Sequence, residues 1–231
     1  MNGDEAVNTS RPVLFEHPDQ ELFKYYGAGS ALILTWESCG YALTAKHVAE
    51  QGTPDQVRIP RDDESLAFFR FETELKPQGD EEDWKDLAFY RVHRRLESKE
   101  WNHLALPLDM IQLRAAANCY RPGIRLWVSG YPNSHSSIDY EAAHIHRGRC
   151  IMEASYESED PSARGKHRIR IDATLETFDG LSGSPVFVEA DPSTILFAGI
   201  LIQGSASSRL AHVIGTLPIA AMLNQLHRAA A

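Results

Sequence analysis

Apolar runs of only a few residues, each cut short by a turn signal, follow one another along most of this chain. That rhythm constrains its fold more than any other feature. Residues 29–36 and 41–45 are apolar, and between them stands Glu37-Ser38-Cys39-Gly40, a break that suits a hairpin. Further runs at 67–75, 87–92, 124–128, 144–152, 167–174, 185–188, 195–202 and 211–214 read as strands. Only the end, 217–229, has helical spacing, with Ile219, Met222, Leu223 and Leu226 on one face. Residues 94–118 show no clear period and read as a link between two lobes. Strands that do not alternate with helices argue against βαβ units and for an all-β barrel or sandwich.

Size and charge narrow the classes further. A chain of 231 residues buries enough surface to fold without a metal or disulfide. Its formal net charge of −9 disfavours a phosphate-rich partner, so no nucleic acid is expected. The cluster Arg91, His93, Arg94 and Arg95 reads as a solvated face. Cys39, Cys119 and Cys150 are odd in number and far apart, which is no disulfide framework. The N-terminus, Met1-Asn2-Gly3-Asp4-Glu5, lacks the basic-then-apolar order of a signal peptide. The longest apolar stretch, 31–35, falls far short of the ~20 residues that span a bilayer. A cytoplasmic protein without a membrane partner is the expectation.

Chemistry is sought where a serine, a base and an orienting acid stand in turns at strand ends. A serine hydroxyl needs a neighbouring base to take its proton, and the base needs a third group to fix its tautomer. Ser182 lies between Gly180 and Gly183 in Thr177-Phe-Asp-Gly-Leu-Ser-Gly-Ser-Pro185. His47 closes the first hairpin in Thr44-Ala-Lys-His-Val48, and Asp86 immediately precedes the run Leu87-Ala-Phe-Tyr90. Ser184 is the rival nucleophile and Asp83 the rival acid. Asp86 is preferred because the apolar run behind it would bury it beside an imidazole. Position 184 is not glycine, so the Gly-x-Ser-x-Gly elbow of α/β-hydrolases does not fit. His144, His146 and Cys150 invite a zinc reading, but no further compact ligand pair accompanies them, so neither metal nor cofactor is expected.

In these segments the chain resembles trypsin-like serine proteases of the chymotrypsin fold, particularly disulfide-poor bacterial branches such as glutamyl endopeptidases and HtrA-type proteases. The likeness runs through Gly29-Ser-Ala-Leu-Ile-Leu34, Leu43-Thr-Ala-Lys-His-Val48, Asp86-Leu-Ala88 and Gly180-Leu-Ser-Gly-Ser-Pro-Val186. It extends more weakly to Gly123, Gly130-Tyr-Pro132 and 198–204. The resemblance implies two antiparallel six-stranded barrels with a C-terminal helix. Residues 1–20 would be an N-terminal extension and 21–110 a first lobe bearing His47 and Asp86. Residues 111–216 would form a second lobe bearing Ser182, and 217–231 the helix. It implies a Ser182–His47–Asp86 triad in the cleft between lobes, with the N–H groups of Gly180 and Ser182 as oxyanion donors.

The resemblance also implies a protein or peptide substrate. Glu176, six residues before the serine, would sit at the base of the primary pocket and favour Lys or Arg. His212 would reach the same pocket, and Ile202-Gln203-Gly204 would pair with extended peptide. Leu181 stands where zymogen-activated members carry an Asp, and no activation-cleavage sequence is present, so activation by N-terminal insertion is not expected. Ser184 replaces the second glycine of the usual pair, as in the glutamyl-endopeptidase type. A cytoplasmic protease needs restraint, which points to an activating partner protein. The other reading is a catalytically latent protease-fold module that binds peptide or protein.

Overall fold

The computed structural model describes residues 6–17, 24–61, 68–69, 71–75, 85–92, 99–139, 141, 144–161, 163–191 and 193–230. In the first lobe, β1 (Ser10–Glu16), β2 (Tyr25–Trp36), β3 (Cys39–Ala45), β4 (Val57–Pro60), β5 (Phe68–Phe69), β6 (Phe71–Leu75) and β7 (Leu87–Val92) form one sheet in the order β5-β4-β1-β2-β3-β7-β6. The two ends of this path, β5 and β6, are a single residue apart in the chain. The path thus begins and ends in neighbouring segments of the chain. The hairpin between β2 and β3 turns on Glu37 and Ser38, whose φ angles are +48° and +66°. Two successive left-handed residues match the twist of the strands they join.

The single-turn helix α1 (Lys46–Ala49) follows β3, and α2 (Lys99–Leu104) and α3 (Met110–Ala117) flank the short β8 (Leu106–Pro107), which lies parallel to β2. The second lobe is a closed barrel of β9 (Arg125–Gly130), β12 (Cys150–Glu159), β13 (Lys166–Ile171), β14 (Pro185–Asp191), β15 (Thr194–Ser205) and β16 (Leu210–Gly215), in the order β12-β13-β16-β15-β14-β9. A separate ribbon pairs β10 (Ser136–Asp139) with β11 (His144–Arg147), and α4 (Thr216–Ala230) ends the fold. The two-barrel architecture with a C-terminal helix is therefore the one expected. No helix among the described residues is long and apolar enough to cross a membrane.

Three local expectations are corrected. Residues 10–16 are not an extension: β1 lies between β2 and β4. The indistinct link contains two helices, and Asp109 caps the second by accepting the Gln112 N–H at 2.8 Å. The run 144–152 is broken at Gly148-Arg149, so β11 belongs to the ribbon and β12 to the barrel.

Alternation along the strands explains how the lobes are held together. Val186 and Val188, Leu201 and Val213 point into the second barrel. Their neighbours Phe187, Ile200, Ile202 and Ile214 point the other way and pack with the first lobe and with Ile219, Met222, Leu223 and Leu226 of α4. Because both faces are buried, these strands read as continuous apolar runs. The Thr216 hydroxyl donates to the Leu113 carbonyl at 2.7 Å, tying α4 to α3.

Leu223 is fully buried in this shared core. Leu223→Ala should cost about 2–5 kcal/mol of stability, read as a lower guanidinium midpoint. On β13, His167 stacks on Tyr120 with ring centroids 3.9 Å apart. Burial holds its imidazole below the ordinary value of 6.5. The unfolded chain therefore binds more protons than the folded one just below that pH, and stability falls as pH drops through it. The denaturation midpoint should be lower at about pH 5.5 than at about pH 7.5, and His167→Phe should narrow the difference.

Candidate functional site

His47 owes its place to the end of β3. Ala45 pairs with Leu87, and one residue further the Lys46 N–H donates to the Asp86 carbonyl at 2.8 Å. The chain then winds into α1, where Val48 and Ala49 are buried and Lys46 and His47 face outward. Asp86 is thus fixed beside the base of the His47 helix. Its side chain is 50% exposed, and Oδ2 lies 3.6 Å from Nζ of Lys166, the first residue of β13 in the other lobe.

Ser182 stands on a tight turn that enters β14. Leu181 N–H donates to the Phe178 carbonyl at 3.0 Å and Ser184 N–H to the Leu181 carbonyl at 2.9 Å. The turn is bolted to the first lobe through Ser30 of β2, which is fully buried. Ser30 N–H donates to the Ser182 carbonyl at 2.8 Å, and its hydroxyl donates to the Gly180 carbonyl at 2.8 Å. The same hydroxyl accepts the Tyr131 N–H at 3.0 Å, and the Ser30 carbonyl accepts the Thr44 hydroxyl at 2.6 Å.

Two glycines make this approach sterically feasible. Gly183 has φ +90°, and a Cβ there would collide with the Ser30 carbonyl. Gly180 has φ +89°, and a Cβ there would meet the Tyr131 carbonyl and lie 2.7 Å from the Asn133 nitrogen. Asn133 N–H draws the Asp179 carbonyl outward, at 2.8 Å. In a trans peptide this turns the Gly180 N–H the opposite way. The Leu181 carbonyl, engaged by Ser184, likewise turns the Ser182 N–H away from itself. Among the described residues neither N–H has an acceptor, which leaves two donors for a developing oxyanion.

His47, Asp86 and Ser182 line one cleft of about 720 Å³ together with Gly180, Glu176, Asp179, Ile202, Gln203 and Gly204. Asp86, Glu176 and Asp179 make this lining acidic, with no Lys or Arg among the described residues that border it. Among the described residues no hydrogen bond joins His47 to Ser182 or to Asp86. The Ser182 hydroxyl instead points toward the Ile202 carbonyl at 3.4 Å. Pairing of β15 with β14 stops at Ile200, so 202–204 have β16 on one side and the cleft on the other.

Several expected roles are revised. Glu176 borders the cleft but is exposed, so water screens the charge expected at a buried pocket base. His212 does not border the cleft; its Nδ1 lies 3.2 Å from Asp160 Oδ2. Burial, with Lys166 and Arg168, lowers its pKa against the opposing pull of Asp160. Ser184, the rival nucleophile, is fully buried. Asp83 lies outside the described residues. Cys150 has its Sγ 2.9 Å from His135 Nδ1, and burial pushes its thiol pKa up. Among the described residues no three ligating side chains converge for a metal.

Sequence reasoning missed Ser30, Asn133 and Lys166. A buried serine inside an apolar strand was the available signal for the first. Ser30→Ala should leave the buried Tyr131 N–H without its acceptor and cost about 1–3 kcal/mol. Ser184→Ala should stay within about 1 kcal/mol of wild type, because the Ser184 hydroxyl has no hydrogen-bond partner among the described residues. Urea denaturation of the two variants checks the contrast.

No protein-family model matches this chain, and no curated protein matches it in sequence. Among solved structures it is similar to a thermostable serine protease, AL20, from an extremophilic microorganism, at 15% identity over 97% of this chain and 98% of that one, with TM-score 0.56. It is similar to kallikrein-related peptidase 10 at 14% identity over 97% and 98%, with TM-score 0.62. Human heparin binding protein is a third, at 12% identity over 95% and 93%, with TM-score 0.62. At such identities the likeness speaks for the fold, the two-barrel fold of trypsin-like serine proteases. Function has to be argued from the site.

Proposed function

We propose that this chain is a serine endopeptidase that cleaves peptide bonds by acyl transfer to Ser182. The observation that carries the reading is the meeting of His47, Asp86 and Ser182, from three distant segments and two lobes, in one cleft beside two N–H groups that have no acceptor among the described residues. His47 takes the hydroxyl proton as Ser182 attacks the carbonyl, and Asp86 orients the ring and stabilises its charged form. The N–H groups of Gly180 and Ser182 hold the oxyanion. His47 then protonates the leaving amine and activates the water that releases the acyl group.

The substrate is a protein or peptide in extended conformation, laid along the cleft edge of 202–204 by β-addition. Acidic lining favours cationic segments, with Glu176 and Asp179 contributing through solvent rather than through a dry contact. The likeness in Gly180-Leu-Ser-Gly-Ser-Pro185 and the free cysteines support a kinship with the disulfide-poor bacterial branches of glutamyl-endopeptidase and HtrA type, and the proposed enzyme acts in the cytoplasm under an activating partner protein.

One observation favours a second reading, a latent module that binds peptide without cutting it. The Asp86 carboxylate faces Lys166, and His47 has no hydrogen bond to either triad partner among the described residues.

Labelling with an active-serine fluorophosphonate decides between them. Wild type should label, and Ser182→Ala should not, with an unchanged circular dichroism spectrum. Labelling that persists in Ser182→Ala removes Ser182 as the nucleophile. Wild type that binds extended peptides yet neither labels nor cleaves them establishes the latent module.

A further inference from the structure

Asp86 is one carboxylate with two cationic claimants, and they belong to different lobes. His47 stands on the first lobe, one residue from the backbone contact between Lys46 and Asp86. Lys166 stands on the second, and its ammonium lies 3.6 Å from Asp86 Oδ2. The Lys166 side chain is only 19% exposed, so its stem is packed and its head has a fixed address. Its backbone is pinned as well. Lys166 N–H donates to the Ala163 carbonyl at 3.2 Å, and its own carbonyl accepts the Asp160 N–H at 2.7 Å. Lys166 also faces Ile214 across the β13–β16 ladder. Nothing in the acyl-transfer reading uses this lysine, yet it meets the group meant to orient the base.

We propose that Lys166 is a positioning residue for the reaction: it holds the Asp86 carboxylate on the second lobe's side of the seam, and His47 gains its orienting acid only when this inter-lobe pair lets go. The inference rests on the assignment of His47, Asp86 and Ser182 as the reacting groups. Its chemistry is a competition. A carboxylate bound to an ammonium offers less charge to an imidazolium, and a ring without an acceptor at Nδ1 loses the contact that selects the Nδ1-protonated tautomer. A bound substrate or partner that widens the seam, or draws Lys166 aside, would release Asp86 to His47.

The test uses the full chain with Lys166→Met and Lys166→Gln, which keep the stem and remove the charge. The His47 pKa and tautomer are read by long-range ¹H–¹⁵N NMR, and Ser182 reactivity by the rate of fluorophosphonate labelling. Both variants should raise the His47 pKa, enrich the tautomer protonated at Nδ1 and speed labelling about two- to fivefold. In an Asp86→Asn background, Lys166→Met should add neither gain. Plain charge removal would instead raise the His47 pKa equally in both backgrounds, and that result overturns the proposal. So does an unchanged tautomer in both single variants. The NMR readout needs no hydrolysis, so absence of labelling in every variant would strike the serine-hydrolase assignment while the Lys166–Asp86 competition is still judged on its own.

Discussion

The geometry of the candidate site depends on a few hydrogen bonds made by one buried serine. Ser30 belongs to the first lobe, yet its N–H and hydroxyl hold two carbonyls of the turn that carries Ser182, and its hydroxyl also receives the Tyr131 N–H. All of this happens away from water, where an unmet polar group costs roughly as much as a lost hydrogen bond. The turn is therefore shaped against a template in the other lobe. Gly183 follows from the same constraint, since any side chain there would displace the Ser30 carbonyl. The seam is reinforced further along, where the Ser10 hydroxyl donates to the Ser129 carbonyl at 2.8 Å. Neither lobe alone supplies these partners, so this part of the site exists only in the docked pair.

How much of this was legible depends on whether the information is local. Barrel strands and α4 could be read because burial imposes a period on neighbouring residues, as at Ile219, Met222, Leu223 and Leu226. β1 escaped because it opens with Ser10 and Arg11, polar residues that are nonetheless buried; one guanidinium nitrogen of Arg11 donates to the carbonyls of Asn8 and Ser10. α3 escaped because it shows little amphipathic contrast. Leu113 and Ala116 are buried, but Ile111 is 80% exposed, so the apolar pattern does not mark one face. His47, Asp86 and Ser182 were singled out from their turn-and-strand contexts taken together, and all three line one cleft. The bond from Ser30 to Gly180 spans 150 residues, and Lys166 meets Asp86 across the seam. No window of sequence contains either relation, and only the folded topology brings the partners together.

Exposure divides the candidate site into two mechanical halves. The half that would hold an oxyanion is sterically set: Gly180 is buried, its carbonyl accepts the Ser30 hydroxyl, and the Ser182 carbonyl accepts the Ser30 N–H. The half that would move the proton lies in the open. His47 is exposed, and Asp86 is half exposed. Their placement follows from backbone contacts at Lys46 and Asp86, which set where the side chains begin but not how they turn.

This asymmetry bears on how such a protein could be controlled. Breaking the Ser30 contacts would cost several buried hydrogen bonds at once, far too much for a reversible switch. The Asp86–Lys166 pair is of the opposite kind. Half exposed to water, it contributes about 0–1 kcal/mol, so small changes in contact or ionic strength can remake it. A tenfold shift in the ratio of paired to released Asp86 needs only about 1.4 kcal/mol of differential binding. On the proposed reading, a peptide laid along 202–204 reaches the seam from the cleft side, and contacts that draw Lys166 aside can supply that much. On the proposed reading, control of the base through a weak pair, with the Ser182 turn kept rigid, would let substrate or partner binding govern turnover without disturbing the fold.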